Sequence, residues 1–414
     1  MKKTLKVIVL ALLALLMTFS AVSCVTPEEN VPDDPTNAPI TASPEPTEEP
    51  TQVNYDAYDY TEKKIGAAEL FPYCKTQGRT VIADYTFRKS NPSVTGIALD
   101  YSAASIEFNA VCEGKVTAFI KVKSTGIGGS RLYISVYVDG VQMGTSRGDF
   151  RLTKSTGTEV VLAENLERGL HNIRIERQTE AERGLMYIDE ITLSGQLAEK
   201  PADSRYFIEF IGDSITTGYG NLWPDDSDGE TSTNAAYNEY VDGTRSYAVL
   251  AAKTIGADYS VVAQQGIALV KGWQPHTMTD TYTETCYQCD RHEEWTFPRK
   301  ADVVVINLGT NDASFYHSGQ VSLDAIEKGI RKFLDIVREK NPDAKILWVY
   351  GMMDTFLCSY IEKAIKEKGG ESAGYYYLQL SPNGSGGNGH PNLKAHKQNG
   401  KTLANKLKEI LNIA

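Results

Sequence analysis

The architecture of the chain is most evident in residues 207–218, FIEFIGDSITTG. An apolar strand over Phe207–Ile211 leads directly into Gly212-Asp213-Ser214. Because glycine permits a tight turn, the serine that follows is held at the edge of a sheet, where its hydroxyl can face solvent. A helix N-cap is the alternative interpretation, since aspartate and serine both cap helices readily. The pattern G-x-S-x-G is absent here, so the α/β-hydrolase fold is not indicated.

Strands and helices alternate along the chain after residue 199. Further strands are predicted over Tyr259–Ala263, Ala301–Leu308, Lys345–Tyr350 and Tyr375–Leu380, and helices over Thr244–Ile255, Ser322–Lys340, Tyr360–Lys368 and Asn392–Asn412. This alternation predicts an α/β domain over residues 199–414, with a parallel sheet covered by helices on both faces. Active sites in such sheets lie at the carboxyl ends of the strands, so candidate residues are sought there.

Four of these strand ends carry residues suited to acyl transfer. Ser214 is a candidate nucleophile, and His390, between a glycine-rich loop and the last helix, is the candidate base. Backbone N–H groups of Ser214 and Gly266, with the side chain of Asn311, would donate hydrogen bonds to a developing oxyanion. A plain turn at Gly266 and an Asx-turn at Asn311 are the alternatives.

The four positions together resemble the SGNH hydrolase superfamily, with Ser214, Gly266, Asn311 and His390 at its namesake residues. The longer stretch over residues 208–221, with NLGTND at residues 307–312 and HPN at residues 390–392, is more specifically similar to carbohydrate esterase family 2. The resemblance covers roughly residues 58–414. It implies a three-layer αβα domain preceded by a β-sandwich, removal of acetyl groups from sugars, and no metal or other cofactor.

The sequence departs from this resemblance just before the histidine. Members of the superfamily usually carry an aspartate two or three residues before it, where this chain has Gly387 and Asn388. We therefore expect a Ser–His dyad, in which a backbone carbonyl or Asn388 orients His390 and fixes its tautomer. Trp223 and Trp273 follow the Ser214 and Gly266 turns, and each is predicted either to contact substrate or to belong to the core.

Residues 58–198 have a different pattern, in which apolar and polar residues alternate. Strands are predicted over Ser105–Ala110, Thr117–Lys123, Leu132–Val138, Val141–Thr145, Glu159–Leu162, His171–Arg177 and Met186–Leu193. Asp139-Gly140 is a typical hairpin turn between two of them. Short strands separated by turns favour a β-sandwich of the jelly-roll kind, without a long helix.

The first 57 residues are expected to direct the protein outward. Lysines followed by a short apolar run predict a signal peptide over residues 1–23. Ala21-Val22-Ser23-Cys24 resembles a bacterial lipobox, so Cys24 is predicted to be lipidated, with ordinary cleavage and secretion as the alternative. Residues 24–57 are rich in proline and acidic residues, and they predict an extended linker. The predicted location is the outer cell surface, with the membrane reached only through the lipid.

Charge and cysteine content limit the possible partners. The formal net charge is −11 and no basic tract is present, so the sequence argues against binding of nucleic acid. Cys286 and Cys289, near Asp290 and His292, favour a local disulfide over a zinc site or two thiols, because an exported protein is expected to be oxidised. We expect a monomer.

The predicted function is that of a serine esterase that removes O-acetyl groups from plant cell-wall poly- or oligosaccharides of the acetylxylan or acetyl-mannan type. A second hypothesis keeps the fold but changes the substrate to a lipid or a peptidoglycan acetyl ester. A third is a surface carbohydrate-binding lipoprotein whose esterase activity is weak or lost, which the neutral residue at Asn388 would favour.

Overall fold

The computed structural model describes residues 53–86, 93–123, 132–153, 155–224, 239–286 and 291–413. The predicted signal peptide, Cys24 and nearly all of the linker lie outside these ranges. Residues 54–414 form one compact unit. None of the helices in these ranges is long and apolar enough to cross a membrane.

Residues 62–197 form an antiparallel sheet, in which ten strands are described. In chain order they are β1 (Glu62–Gly66), β2 (Lys75–Gln77), β3 (Val81–Tyr85), β4 (Val94–Leu99), β5 (Ser105–Lys123), β6 (Leu132–Val138), β7 (Val141–Gln142), β8 (Arg151–Leu152), β9 (Thr158–Arg177) and β10 (Leu185–Leu197). The spatial order is β3-β4-β10-β5-β9-β6-β7, with β1 beside β10, β2 beside β5 and β8 beside β6.

The two longest strands each join two segments that the sequence predicts as separate. β5 continues from Ser105 to Lys123 through Gly114, which has φ +72° and lies between two shifts of register against β9. Bulges of this kind bend a strand without ending its pairing. The hairpin at Asp139-Gly140 is confirmed, because both residues have the positive φ that a tight turn between paired strands requires.

This antiparallel sheet has its own apolar core. Alternating residues such as Ile106 and Phe108 in β5 and Ile173 and Ile175 in β9 point into it and are fully buried. The period of two in the sequence therefore corresponds to one buried face. The more specific assignment of a jelly roll stays a prediction.

The second half of the chain contains a parallel sheet, as the sequence predicts. Its strands are β11 (Phe207–Gly212), β12 (Asp258–Ala263), β15 (Val303–Asn307), β16 (Lys345–Tyr350) and β17 (Tyr375–Gln379). Two further strands, β13 (Glu284–Cys286) and β14 (Arg291–Glu294), form a separate antiparallel pair. The order is β12-β11-β15-β16-β17. From β11 the chain first adds β12 on one side and then returns to add β15 on the other, so the strand order reverses between β11 and β15. Ligands in open α/β sheets bind at such a point.

The helices cover both faces of this sheet. In chain order, the helices of the described residues are α1 (Ala67–Leu70), α2 (Ser214–Thr217), α3 (Tyr247–Thr254), α4 (Met278–Thr281), α5 (Thr310–His317), α6 (Leu323–Lys340), α7 (Cys358–Glu367) and α8 (Leu393–Leu411). Of these, α1 lies between β1 and β2 and belongs to the antiparallel half. Val304 and Ile306 of β15 lie in the core beneath α6 and α7, whereas Val303 and Val305 lie in the core beneath α3 and α8. Burial of both faces explains why this strand is continuously apolar.

The two sheets share part of their packing. Tyr85 and Tyr187 of the antiparallel sheet stack with ring centroids 3.7 Å apart and belong to the same apolar core as Ile211 and Ile306 of the parallel sheet. Residues 180–183, between β9 and β10, are thereby brought against the loop that follows β12.

Candidate active site

Ser214 lies at the carboxyl end of β11, where the strand turns sharply into α2. Asp213 is the N-cap of this short helix and accepts a hydrogen bond from the N–H of Ile215 at 3.0 Å. Gly218 ends the helix with φ +76°, and a Cβ there would come within 2.5 Å of the Asp242 carbonyl oxygen. The capping role therefore belongs to Asp213, which leaves the Ser214 hydroxyl for another partner.

That partner is His390. Its Nε2 lies 2.8 Å from the Ser214 Oγ, and both residues are largely buried, with 8% and 6% of their surfaces exposed. The Nδ1 atom lies 3.1 Å from the backbone carbonyl oxygen of Asn388. A carbonyl can only accept, so Nδ1 carries the proton in this hydrogen bond and Nε2 is left to accept from the serine. Of the two groups expected to orient His390, the backbone carbonyl is the one that contacts its ring.

An unusual backbone conformation presents this carbonyl to the histidine. Asn388 has φ +53° and ψ +42°, and Gly389 follows with φ +70°. Asparagine and glycine tolerate the left-handed region better than other residues. The loop is also fastened to the segment after Ser214, since Gly387 N–H donates to the Gly220 carbonyl at 3.0 Å and a Cβ on Gly220 would clash with it.

Burial sets the acid–base behaviour of the pair. It lowers the pKa of His390 to about 4, although the backbone carbonyls of Asn388 and Gly387 partly oppose this effect. A carbonyl dipole stabilises the imidazolium less than a full carboxylate charge would. His390 is therefore neutral, and able to act as a base, over a wide pH range above 4.

The other two candidate oxyanion donors, Gly266 and Asn311, follow β12 and β15, the strands on either side of β11. Gly266 has φ +73°, and a Cβ there would lie 2.9 Å from the Cβ of Trp273, so both conformation and space require glycine. Its N–H has no acceptor among the residues that the structure describes. Asn311, the second residue of α5, is buried and donates from Nδ2 to the Ile267 carbonyl at 2.8 Å, which links it to the Gly266 loop.

Asp312 holds this loop in place, a role that the sequence did not predict. Its carboxylate accepts hydrogen bonds from the N–H groups of Leu269, Val270 and Lys271 at 2.9, 2.8 and 3.2 Å. Burial raises the pKa of Asp312, and the three donors oppose that shift. An acidic residue next to Asn311 at a strand end was the available signal, but its backbone partners could not be inferred from spacing.

The two tryptophans differ in exposure. Trp273 has 72% of its surface exposed, packs edge-on against Phe315 and lies directly beside Gly266. Trp223 is buried, with its ring against Tyr240 and close to Gly387 of the histidine loop. Trp273 therefore has a face available to a ligand, whereas Trp223 supports the loop.

The predicted cysteine pair is only partly described. Cys286 is disulfide-bonded. The cysteine bonded to it lies outside the described residues, and so does Cys289, the predicted partner. His292 instead contacts Glu284 through Nδ1 at 3.0 Å. In the described ranges no cluster of histidine, cysteine or acidic side chains is arranged to hold a metal ion.

A serine and a histidine in hydrogen-bonding contact at the carboxyl edge of a parallel α/β sheet are the arrangement of a serine hydrolase. The comparisons with known proteins agree with this class. Residues 210–411 match the GDSL-like lipase/acylhydrolase family.

The most similar proteins include family 2 carbohydrate esterases, which confirms the resemblance seen in the motifs. Cellulase/esterase CelE of Acetivibrio thermocellus is 29% identical over 327 residues, covering 75% of this chain and 37% of that protein. An acetylxylan esterase / glucomannan deacetylase of Cellvibrio japonicus is 32% identical over 163 residues, covering 36% of this chain and 42% of that protein. This chain thus aligns with less than half the length of either relative.

A solved structure supports the fold. It is a family two carbohydrate esterase from Clostridium thermocellum in complex with cellohexaose, with a TM-score of 0.68 and 24% identity, and the match covers 82% of this chain and 99% of that one. The α/β fold predicted from residues 207–218 and the strands after them is therefore confirmed.

Proposed function

We propose that this protein is a serine esterase that removes O-acetyl groups from plant cell-wall poly- or oligosaccharides. The observation that carries the proposal is the 2.8 Å contact between Ser214 Oγ and His390 Nε2 at the carboxyl edge of the sheet. The names of the relatives, an acetylxylan esterase / glucomannan deacetylase and a cellulase/esterase, support an acetylated polysaccharide as the substrate. The exposed ring of Trp273 beside Gly266 is a suitable surface for a sugar ring.

In the proposed mechanism, His390 Nε2 accepts the hydroxyl proton while Ser214 Oγ attacks the acetyl carbonyl carbon. The resulting oxyanion accepts hydrogen bonds from the N–H groups of Ser214 and Gly266 and from the Asn311 amide. Collapse of the tetrahedral intermediate breaks the bond to the sugar oxygen, which takes the proton from the imidazolium. Water then attacks the acetyl-enzyme by the same route, with His390 as the base, and releases acetate.

The proposed setting is the outer cell surface. The signal peptide over residues 1–23 would be removed, lipid on Cys24 would anchor a monomer, and the linker over residues 24–57 would hold a β-sandwich of the jelly-roll kind (residues 58–198) and a hydrolase domain (residues 199–414) away from the membrane. If this is correct, the expressed protein partitions into the detergent phase of Triton X-114 and the Cys24→Ala variant does not.

The esterase proposal is tested by hydrolysis of 4-nitrophenyl acetate. We expect turnover by the wild type and a loss of at least about 10³-fold in Ser214→Ala, because no nucleophile remains. Ser372→Ala, in an exposed turn after α7, is the matched control and is expected to retain full activity. Turnover retained by Ser214→Ala would disprove the mechanism. Glycan binding without turnover in the wild type would favour the carbohydrate-binding protein instead.

The substrate is tested separately by measuring acetate released from acetylated xylan and acetylated glucomannan. Release from either polymer, abolished in Ser214→Ala, supports a carbohydrate esterase. Hydrolysis of 4-nitrophenyl acetate without release from either polymer would instead support an esterase that acts on another acyl ester.

A further inference from the structure

A turn of the antiparallel sheet reaches the loop that carries Gly266. Residues 180–183 lie between β9 and β10, and both Glu180 and Arg183 are buried. The Glu180 carboxylate accepts a hydrogen bond from the N–H of Gln265 at 3.2 Å, and Arg183 Nη2 donates to the Gln265 side-chain oxygen at 2.8 Å. The residue before the candidate oxyanion donor is therefore held by the other half of the molecule.

The carbonyl of Gln265 is held as well, through an intermediary. Nε2 of Gln274 donates to this carbonyl oxygen at 2.7 Å and also to the carboxylate of Glu182. Both partners of the Gln274 nitrogen are oxygen acceptors, which match the two N–H donors of an amide group. Glu182 also accepts from the side chain of Gln264 at 3.4 Å. Its carboxylate thus restrains the side chain that contacts the Gln265 carbonyl.

The geometry of one peptide group makes this contact relevant to catalysis. The Gln265 carbonyl and the Gly266 N–H belong to the same planar unit, and in a trans peptide they point in opposite directions. A hydrogen bond that fixes the carbonyl therefore fixes the direction of the N–H. A hydrogen bond to the Gln265 carbonyl also polarises the peptide group, so the Gly266 N–H becomes a stronger donor.

We propose that Glu182, acting through Gln274, is a positioning residue that directs the Gly266 N–H toward the reacting carbonyl. The antiparallel half of the chain would then complete the oxyanion hole rather than serve only as a separate module. The inference rests on the esterase function proposed above. In this proposal Glu182 acts on a peptide group and not on the substrate, so its effect is expected on kcat and not on the binding of a small ester.

The experiment compares full-length variants in the hydrolysis of 4-nitrophenyl acetate. Removal of an entire oxyanion donor typically costs about 10²–10³-fold in kcat, and misdirection of one should cost less, so we expect a loss of about 10–100-fold in Glu182→Ala and in Gln274→Ala. KM is expected to stay within about twofold in both. Glu182→Gln keeps an oxygen acceptor for Gln274, and we expect it to recover most of the activity.

The double variant tests whether the two side chains act on the same peptide. We expect Glu182→Ala with Gln274→Ala to lose no more activity than Gln274→Ala alone, because the first residue acts only through the second. Glu190→Ala is the matched control in the same sheet, since this carboxylate pairs with Lys64 at the surface. It is expected to retain wild-type kcat.

Several outcomes would overturn the inference. The first is wild-type turnover in both Glu182→Ala and Gln274→Ala, as in the control Glu190→Ala. The second is a double variant in which the two losses of activity multiply. The third is a loss of activity in Glu182→Ala that is equally large in Glu182→Gln. In each case the esterase proposal stands as long as the wild type is active and Ser214→Ala is not. A wild type without any ester turnover would instead remove the proposed function, and this inference with it.

Discussion

The carbonyl oxygen of Asn388 lies where the Ser-His-Asp triad has a carboxylate, beside Nδ1 of the histidine. Such a carbonyl fixes the tautomer and the ring orientation but carries no full charge to stabilise the imidazolium. In the proposed mechanism, the backbone of Asn388, rather than its side chain, then orients the histidine. This distinction leads to opposite expectations for substitutions at the same position.

Substitution of Asn388 by glycine should therefore be tolerated. Glycine adopts the left-handed conformation without steric cost, so Asn388→Gly keeps the carbonyl against His390 and is expected to retain activity within about threefold. A β-branched residue is strained at φ +53°, so Asn388→Val should distort the loop and lower kcat by more than tenfold. Steady-state kinetics, with circular dichroism to confirm folding, would check both. Equal loss in the two variants would assign the function to the amide side chain instead.

The pH dependence provides a second test at this residue. The pKa of His390 is lowered to about 4, so the neutral base persists as pH falls until that value is reached. We expect kcat/KM of the wild type to decline only near pH 4, rather than near the ordinary histidine value of 6.5.

A carboxylate at the same position should move that decline. In Asn388→Asp the new negative charge stabilises the imidazolium, which raises the pKa of His390 and moves the acid limb to higher pH. Turnover at pH 8 should change modestly or rise. Complete loss of turnover in a folded Asn388→Asp protein would contradict this description of the loop. An acid limb that does not move would mean that the new carboxylate does not reach the ring.

Much of the site could be predicted at the level of single residues. Ser214 and His390 were found because strand ends in a parallel sheet converge, and the structure brings them into contact. The sequence could not show whether the carbonyl or the side chain of Asn388 contacts His390, because residue type does not specify the backbone conformation of a glycine-rich loop. Glu182 gave no sequence signal, because it lies in the other half of the chain.

At the level of elements, helix boundaries depend on contacts as well as on local pattern. Helix α6 was predicted almost to the residue, because five apolar side chains form one stripe. Helix α5 was not predicted, since its sequence TNDASFYH has no such stripe. The long strands β5 and β9 were predicted in pieces, because bulges interrupt the alternation without ending the pairing.

Helices α3 and α8 are joined by a second buried histidine, His396. Its Nδ1 accepts a hydrogen bond from the N–H of Tyr247, the first residue of α3, at 3.0 Å. Burial lowers the pKa of His396 to about 3. The folded protein therefore keeps this ring neutral, whereas the unfolded chain binds a proton below pH 6.5.

Acidification therefore destabilises the folded protein. Stability is complete above pH 6.5 and falls as pH decreases toward 3, by about 2 kcal/mol at pH 5 for a histidine of this kind. His396→Asn retains an acceptor for Tyr247 but does not titrate. We expect it to be less stable than the wild type at pH 7, and its loss of stability between pH 7 and pH 5 to be smaller by about 2 kcal/mol. Urea unfolding at both pH values would measure this, and identical pH dependence in the two proteins would refute it.

At the scale of the whole molecule, the two sheets should unfold together. The antiparallel sheet contributes Tyr85 and Tyr187 to a core that also contains Ile211 and Ile306 of the parallel sheet. The sequence predicted both sheets but not this shared core, because neither pattern shows which surface of one sheet covers the other.

A buried ion pair links the same two sheets. Arg79, between β2 and β3, approaches the Glu209 carboxylate of β11 at 3.4 Å and donates to the Tyr282 carbonyl at 2.6 Å. The Tyr282 hydroxyl donates to the other oxygen of Glu209 at 2.5 Å. Both charged side chains are almost completely buried, so each depends on the other for compensation.

Removal of one partner should therefore cost more than removal of both charges. Arg79→Met leaves the Glu209 carboxylate buried without its cation and is expected to lower the free energy of unfolding by about 3–5 kcal/mol. Adding Glu209→Gln should recover part of this loss, because the remaining amide carries no charge. Lys64→Met, at the exposed pair with Glu190, is the control and should cost less than about 1 kcal/mol. Urea unfolding followed by fluorescence and by circular dichroism should give one coincident transition for each protein. Two separate transitions in the wild type, or a double variant less stable than Arg79→Met, would show that the sheets are not coupled through this pair.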